Sequence, residues 1–246
     1  MSHLLQITDL HICADPAEQL AGINSRDTLL QVLDSIAASV PRSVPLLLTG
    51  DIAAHGELAA YQWLNHVLLA TGREVYWLPG NHDDLAQLEA GLVDFPRCRS
   101  VHLAGWQLLL LNSSESGSAA GKLGSKELDW LRGELSQSDA SHLLLALHHP
   151  LAAVGSVWMD TMCVADSDQL CGLFDGKTRL RGVVCGHVHQ QSCVDWCGVA
   201  QLCAPASCFQ FAPGSDEFAL DDEARPGYRL IQLHSDGRIE SEVVRV

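Results

Sequence analysis

The chain has 246 residues, of which 47% are hydrophobic, and it carries a formal net charge of −15 at pH 7. This hydrophobic share is enough for a large core and argues against a disordered protein. The negative charge disfavours a protein that holds a nucleic-acid polymer, because that task needs Lys and Arg to replace phosphate counterions. A small anionic substrate is still compatible with this charge if a local metal centre binds the anion.

The length fits one α/β domain, and we expect a single domain over residues 1–246. Apolar runs such as Leu108 to Leu111 are far shorter than the roughly eighteen residues needed to cross a bilayer. The N-terminal MSHLLQITDLH lacks the basic and long apolar regions of a secretory signal. We therefore expect a cytoplasmic protein without membrane contact.

The nine cysteines are scattered and form no CxxC pair. In a reducing cytoplasm we expect them to be small buried hydrophobic residues rather than disulfides or zinc ligands. For Cys193 and Cys197, which lie close together in the sequence, pairing or metal binding is the alternative.

Strand-like runs alternate with helical patterns over most of the chain. Continuous apolar runs, which suit strands covered on both faces, predict strands at Leu4 to Thr8, Pro45 to Thr49, Glu74 to Leu78, Gln107 to Leu111, His142 to Leu147 and Gly182 to Cys185. Apolar residues spaced by three or four predict helices between Asp27 and Pro41, around Leu64, and from Ser125 to Leu135. The alternation indicates a layered α/β fold.

The last third is richer in strands. Shorter strands are predicted at Gly198 to Cys203, Tyr228 to His234 and Arg238 to Val246, with Asp236 to Arg238 as a hairpin turn. The acidic, turn-rich segment from Phe211 to Gly227 is predicted to be a surface loop.

Five of the predicted strands run directly into Asp, Asn or His. Each such residue alone could be a helix cap or a turn residue, but together they point to one place, because the carboxyl ends of strands in an open α/β sheet form the ligand crevice. The five strand exits carry Asp9 and His11, Asp51, Asn81 and His82, His148, and His187 and His189.

The side-chain types at these exits are those of a metal centre. Carboxylate, amide and imidazole ligands suit Mn, Fe or Zn. Seven candidate ligands are too many for one ion and fit two. Two such ions carry a charge of about +4 to +5, which Asp9 and Asp51 only partly offset, so the site should attract phosphate.

The ordered blocks DLH, GD, GNHD, HHP and GHVH resemble the calcineurin-like metallophosphoesterases. The longer stretches QITDLH, YWLPGNHD, LLLALHHPL, VVCGHVHQ and PASCFQFAP are similar to the bacterial class III cyclic-nucleotide phosphodiesterases, and the resemblance covers essentially the whole chain. It implies a four-layer α/β/β/α sandwich.

The resemblance also implies roles for the residues at the strand exits. One metal would be held by Asp9, His11 and His189, the other by Asn81, His148 and His187, with Asp51 bridging both. His82 would lie beside the metals as the acid for the leaving oxygen. The metals expected are Fe and/or Mn, with Zn, Co or Mg as alternatives. His149 is expected to support the ligands from behind, and the loop Trp158 to Asp160 either shapes the nucleotide pocket or only packs.

The expected reaction is hydrolysis of 3',5'-cyclic AMP to 5'-AMP by a hydroxide that bridges the metals, without a covalent intermediate. A broader phosphodiesterase acting on 2',3'-cyclic nucleotides or other small diesters is the alternative. A non-catalytic scaffold is disfavoured, because scaffold relatives have typically lost ligands or the GNH histidine, here His82. The expected partner is a small-molecule phosphodiester, and a homodimer, as formed by some relatives, is left open.

Overall fold

The computed structural model describes residues 2–174 and 179–246. Its helices are α1 (Ser25–Ser39), α2 (Leu58–Thr71), α3 (Leu85–Gly91), α4 (Gly124–Gln137), α5 (Val157–Asp160) and α6 (Ser167–Gly172). Its strands are β1 (Ser2–Ile7), β2 (Leu46–Thr49), β3 (Val75–Leu78), β4 (Ser100–Leu103), β5 (Trp106–Leu110), β6 (His142–Ala146), β7 (Leu180–Cys185), β8 (Ser192–Trp196), β9 (Val199–Cys203), β10 (Gly227–Leu233) and β11 (Ile239–Arg245).

The first helix shows how local sequence sets the elements. The side chain of Asn24 accepts hydrogen bonds from the backbone N–H groups of Arg26 and Asp27 and so caps the start of α1. Leu29 and Ile36 are buried on the face that the spacing predicts. Pro41 follows the helix and cannot continue it. The predicted helix and its end are therefore confirmed.

The strands form two sheets. Within the described residues, one has the order β11-β10-β1-β2-β3 and the other the order β4-β5-β6-β7-β9-β8. The strands β1, β2 and β3 pair in parallel, as do β5, β6, β7 and β9. The remaining pairs are antiparallel and lie toward the edges of the two sheets. Each sheet thus has a group of parallel strands whose carboxyl ends meet at one edge.

The hydrophobic core has three layers, one between the two sheets and one between each sheet and its helices. The molecule therefore has four layers: helices, sheet, sheet and helices. In β2, Leu46 and Leu48 pack against the helices α1 and α2, whereas Leu47 packs between the two sheets. In β6, Leu144 packs between the sheets, and Leu143 and Leu145 face the side of α4. This period of two is what a pleated strand with two buried faces requires. The predicted α/β/β/α sandwich is confirmed.

Several short elements were not predicted: α3, α5, α6, β4 and β8. The strand β8 lies at the edge of its sheet and its residues are mostly exposed or half-buried, so no apolar run marks it in the sequence. Within residues 2–174 and 179–246, no helix is long and apolar enough to cross a bilayer.

The expectation for the cysteines needs a correction. Cys171 of α6 and Cys197, between β8 and β9, form a disulfide with their Cα atoms 6.2 Å apart. Cys197 thus pairs with a residue far away in the sequence and not with Cys193, which is free and exposed. Burial as small hydrophobic residues is confirmed for Cys13, Cys185, Cys203 and Cys208.

Candidate dinuclear metal site

The polar residues that follow the strands converge where the two sheets meet. Asp9 and His11 follow β1, Asp51 follows β2, and Asn81 follows β3 of the first sheet. From the second sheet, His148 follows β6, and the pair His187 and His189 follows β7. The structure therefore brings all seven predicted ligands to one place, and six of them are buried.

One group of donor atoms comes from the loops after β1 and β7. His11 Nε2 lies 3.1 Å from His189 Nε2, and His189 Nε2 lies 3.4 Å from Asp9 Oδ1. Three potential ligand atoms thus surround a single point. They are the three residues that the resemblance assigns to one metal.

A second group lies beside the first. His148 Nε2 is 3.2 Å from Asn81 Oδ1 and 3.3 Å from His187 Nδ1. The carboxylate of Asp51 lies between the groups, because its Oδ2 is 3.6 Å from His11 Nε2 and 3.3 Å from His148 Nε2. This division and the intermediate position of Asp51 match the assignment that the resemblance implies.

The hydrogen bonds of the histidine rings orient their Nε2 atoms for metal binding. The Nδ1–H of His189 donates to the carbonyl of Phe209 at 2.8 Å, and that of His148 donates to the carbonyl of Thr49, also at 2.8 Å. In a neutral ring this leaves the Nε2 lone pair free. In each group this Nε2 atom faces another imidazole nitrogen at 3.1 to 3.3 Å. Converging lone pairs and carboxylates fit divalent metal ions.

The backbone at these positions is unusual. Asp9, His11, Asp51, His187 and His189 all have positive φ angles, between 44° and 68°. A residue with a Cβ atom in this region costs about 1–2 kcal/mol, and such residues cluster at functional sites. In DLH and HVH, two left-handed residues flank one central residue, so the two polar side chains can converge.

The central residues and the glycines of the motifs hold this geometry. Leu10 and Val188 are fully buried, one in the core beside α1 and α2 and the other in the core beside α4. A Cβ atom on Gly80 would collide with the backbone and carboxylate of Asp51, and one on Gly186 would collide with Thr8. These glycines are therefore needed so that neighbouring strand ends can approach each other.

Neighbouring charges at the site shift one another's pKa values. Burial raises the pKa of the Asp51 carboxyl, but the neighbouring His148 and His11 outweigh it and hold the pKa well below its usual value. Burial lowers the pKa of His148, but Asp51 and Asp9 outweigh it and raise it to about 9. For His11, burial dominates and lowers the pKa to about 3. Asp51 and His148 thus form an ion pair, while His11 keeps a free lone pair.

His82 lies at the rim of the site. It is exposed, its backbone N–H donates to Asp51 Oδ1 at 2.9 Å, and its Nδ1–H donates to the carbonyl of Ala54 at 2.9 Å. Its Nε2 is therefore the atom that can exchange a proton with a substrate. His11 Nε2, His82 and Asp51 also lie close enough together to share an ion, but in this assignment His82 is not a ligand.

Asp83 supports the site and was not singled out in the sequence. Its carboxylate accepts hydrogen bonds from the backbone N–H groups of Ile52, Ala53 and Gly80 and from the hydroxyl of Tyr61. Burial, followed by the charge of Asp51, raises its pKa to about 6. It ties the loop after β2 to the loop after β3. In the sequence, Asp83 could have been recognised as the final residue of the GNHD block.

The structure shows the surroundings of His149 and of the segment Trp158 to Asp160, whose roles the sequence left open. His149 is buried, its Nδ1 lies 2.8 Å from Ser113 Oγ, and its ring centroid is 4.6 Å from that of His187, so it packs behind a ligand as expected. Trp158 contacts Phe211 and Phe218 edge-on at 5.1 and 5.4 Å. Residues Trp158 to Asp160, predicted as a loop, lie in the short helix α5, and Asp160 accepts hydrogen bonds from the N–H groups of Val154 and Gly155 just before that helix.

Comparison with known proteins identifies the family. Residues 2–191 match the family described as calcineurin-like phosphoesterase. The chain belongs to the calcineurin-like phosphoesterase family. It is 35% identical to a 3',5'-cyclic-nucleotide phosphodiesterase of Nostoc sp., a match that covers 99% of this chain and 92% of the relative. It is 34% identical to the 3',5'-cyclic adenosine monophosphate phosphodiesterase CpdA of Haemophilus influenzae, covering 99% and 89% of the two chains.

Solved structures of low sequence identity show a similar fold. A dimetal phosphatase from Danio rerio superposes with a TM-score of 0.66 at 12% identity, covering 99% of this chain and 98% of the other. The Plasmodium protein GAP50, described as an anchor in the inner membrane complex, gives 0.67 at 12% identity, covering 99% and 84%. At this identity the likeness concerns the fold alone. Membership of the family implies a dinuclear metal site, and the two donor groups fit one.

Proposed function

We propose that this calcineurin-like phosphoesterase hydrolyses 3',5'-cyclic AMP to 5'-AMP with two bound metal ions. The observation that carries the proposal is the pair of donor groups with the Asp51 carboxylate between them, 3.3 to 3.6 Å from a histidine nitrogen of each. The substrate is supported by full-length relatives named as cyclic-nucleotide phosphodiesterases.

In this proposal each donor group would hold one ion, and Asp51, which lies between the groups, would serve both. Asp9, His11 and His189 would hold the first ion, and Asn81, His148 and His187 would hold the second. When bound, the ions polarise the phosphoryl oxygens and lower the pKa of water, which are the two demands of diester hydrolysis. We propose Fe and/or Mn, since mixed carboxylate, amide and imidazole ligands suit these ions.

The chain's own residues supply orientation and a proton. Asp51 fixes His82 by accepting its backbone N–H, and the carbonyl of Ala54 fixes the tautomer by accepting Nδ1–H. A protonated His82 can therefore donate only from Nε2, toward the oxygen that leaves phosphorus. General acid catalysis of this kind contributes about 10²–10⁴-fold in rate. We assign His82 as this acid.

The test is a product analysis by chromatography. The protein is stripped, reloaded with Mn, and given 3',5'-cyclic AMP, 2',3'-cyclic AMP and an aryl phosphodiester in parallel, with Asp51→Ala as the control. We expect release of 5'-AMP from 3',5'-cyclic AMP at a rate that rivals turnover of the aryl diester. Turnover of the aryl diester alone, or much faster turnover of 2',3'-cyclic AMP, would overturn the proposed substrate and leave the metal site intact.

We further propose that the chain forms one catalytic domain in the cytoplasm. The two sheets share a common buried layer, in which Leu4 of one sheet packs with Leu144 and Val184 of the other, and this supports one folding unit. The disulfide between Cys171 and Cys197 argues against this location, because disulfides are rare in a reducing cytoplasm.

A further inference from the structure

Two clefts of different character meet at the rim of the metal site. His82 and His55 line both of them. The polar cleft has a volume of about 440 Å³ and contains Asn81, Asn112, Ser114 and Glu115. The apolar cleft has a volume of about 340 Å³ and runs from His11 and His82 to Leu20, Phe209 and Phe218. A substrate held at the metals can thus extend in two directions.

Phe218 is the outermost aromatic residue of the apolar cleft. Its side chain is 63% exposed, although it lies in an acidic loop where an apolar ring gains nothing from water. Its position is nevertheless fixed. The N–H of Ala212 donates to the carbonyl of Ala219 at 2.8 Å and closes the loop around it. The rings of Trp158 and Phe211 contact Phe218, each at a centroid distance of 5.4 Å.

This aromatic wall is continuous with the metal site. Phe211 stacks on the ring of His189 at a centroid distance of 4.2 Å and an interplanar angle of 22°. Phe209 accepts the Nδ1–H of His189 at its carbonyl, and its ring lies 5.5 Å from that of His11. Because these rings contact both His189 and His11, a planar group in the apolar cleft would lie next to a phosphate bound at the metals.

We infer that the apolar cleft binds the nucleobase of the substrate and that Phe218 stacks on the base. The inference rests on the proposed function and adds the residue that recognises the nucleoside part. A base is planar and uncharged at neutral pH, and stacking of its π face on an aromatic ring is the usual way in which proteins hold an unpaired base. The polar cleft, with its amide, hydroxyl and carboxylate groups, suits water better than the face of a base.

The charges beside Phe218 support a base rather than a second phosphate. Asp216 and Glu217 precede it in the chain and are exposed, and Asp221 and Asp222 follow shortly after. Four carboxylates thus lie within four positions of Phe218 in the chain, and this concentration of negative charge disfavours a further anionic group. The cleft should therefore favour a nucleotide whose single negative charge lies at the metals.

The first test separates base recognition from the chemistry. The fully metal-loaded enzyme and its variants are given 3',5'-cyclic AMP and the methyl riboside 3',5'-cyclic phosphate, which keeps the sugar and diester but has no base. In Phe218→Ala we expect KM for 3',5'-cyclic AMP to rise about tenfold to a hundredfold, with kcat within about twofold and the base-free substrate unaffected. Phe218→Tyr should restore KM. Val93→Ala, which truncates another exposed apolar side chain, should leave both substrates unaffected.

An equal loss on both substrates, or no change in KM for 3',5'-cyclic AMP, would overturn the inference. A second measurement does not depend on turnover. Saturation-transfer difference NMR with adenosine, which has no phosphate, should show signals from the base protons in the wild type that are lost in Phe218→Ala. If the enzyme fails to hydrolyse 3',5'-cyclic AMP but this loss is observed, the proposed function is wrong and the base site stands. If the signals persist in Phe218→Ala, the base binds elsewhere.

Discussion

Metal binding should release a proton from His148. Without metal, the Nδ1–H of this ring donates to the carbonyl of Thr49, so the second proton sits on Nε2, 3.3 Å from Asp51 Oδ2. Burial alone would lower the pKa of His148, but Asp51 outweighs it and raises the pKa to about 9. A metal ion needs the Nε2 lone pair. At pH 7 the ion must therefore displace a proton from nearly every molecule.

The magnitude follows from the pKa. Two pH units below a pKa of about 9, displacing the proton costs about 3 kcal/mol, or roughly a hundredfold in affinity. The affinity should rise about tenfold per pH unit between about pH 6.5 and 8. His11 and His187 should contribute little, because burial holds the pKa of His11 at about 3 and that of His187 well below its usual value.

The assay is calorimetry of Mn²⁺ binding to the stripped protein at pH 7, in buffers of different ionisation enthalpy. Wild type should release about one proton more than His148→Asn, which keeps an oxygen ligand but cannot titrate. Protons released by other groups are common to both proteins and cancel in the difference. Equal proton release from the two proteins would refute the assignment of the charge to His148.

The remaining predictions concern catalysis and stability. His82→Ala should lower turnover by about 10²–10⁴-fold with both metals retained by elemental analysis, and loss of both metals would show that His82 is a ligand. Gly186→Ala places a Cβ atom against Thr8 and should lower the free energy of unfolding in urea by about 1–3 kcal/mol; an unchanged midpoint would contradict this. Reducing the Cys171–Cys197 bond, which closes 26 residues, should cost about 3.5 kcal/mol, and the reductant should have no such effect on Cys171→Ala.

The metal ligands could be proposed from the sequence because each one follows a recognisable strand. An apolar run predicts the strand, and the residue after it lies at the carboxyl edge of the sheet wherever neighbouring strands are parallel. Asp51 after β2 and His148 after β6 each lie at such an edge, and they meet across 97 positions of the chain because the two sheets pack with these edges together. The division of the ligands between two ions came from the family resemblance.

Other features depend on contacts that no local pattern reveals. Phe218 was part of a predicted surface loop, and its role depends on Trp158, which is 60 residues earlier in the chain. The leucine runs of β2 and β6 indicate burial, but they do not say which alternate residues face the other sheet. Asp83 is one of several aspartates after β3, and only its hydrogen bonds to the loops after β2 and β3 and to Tyr61 of α2 distinguish it from Asp84.

The backbone at the ligands shows which part of the molecule holds the site together. Each left-handed residue in DLH and HVH costs about 1–2 kcal/mol, and this cost is present whether or not a metal is bound. The central residues Leu10 and Val188, both fully buried, anchor the two triplets in different cores. Removing a buried leucine costs about 2–5 kcal/mol. The free energy gained by burying the central residue is therefore similar to the backbone strain of the two left-handed residues that flank it. The hydrophobic cores therefore position the proposed ligands, and Leu10 and Val188 support the proposed metal site although neither carries a ligand atom.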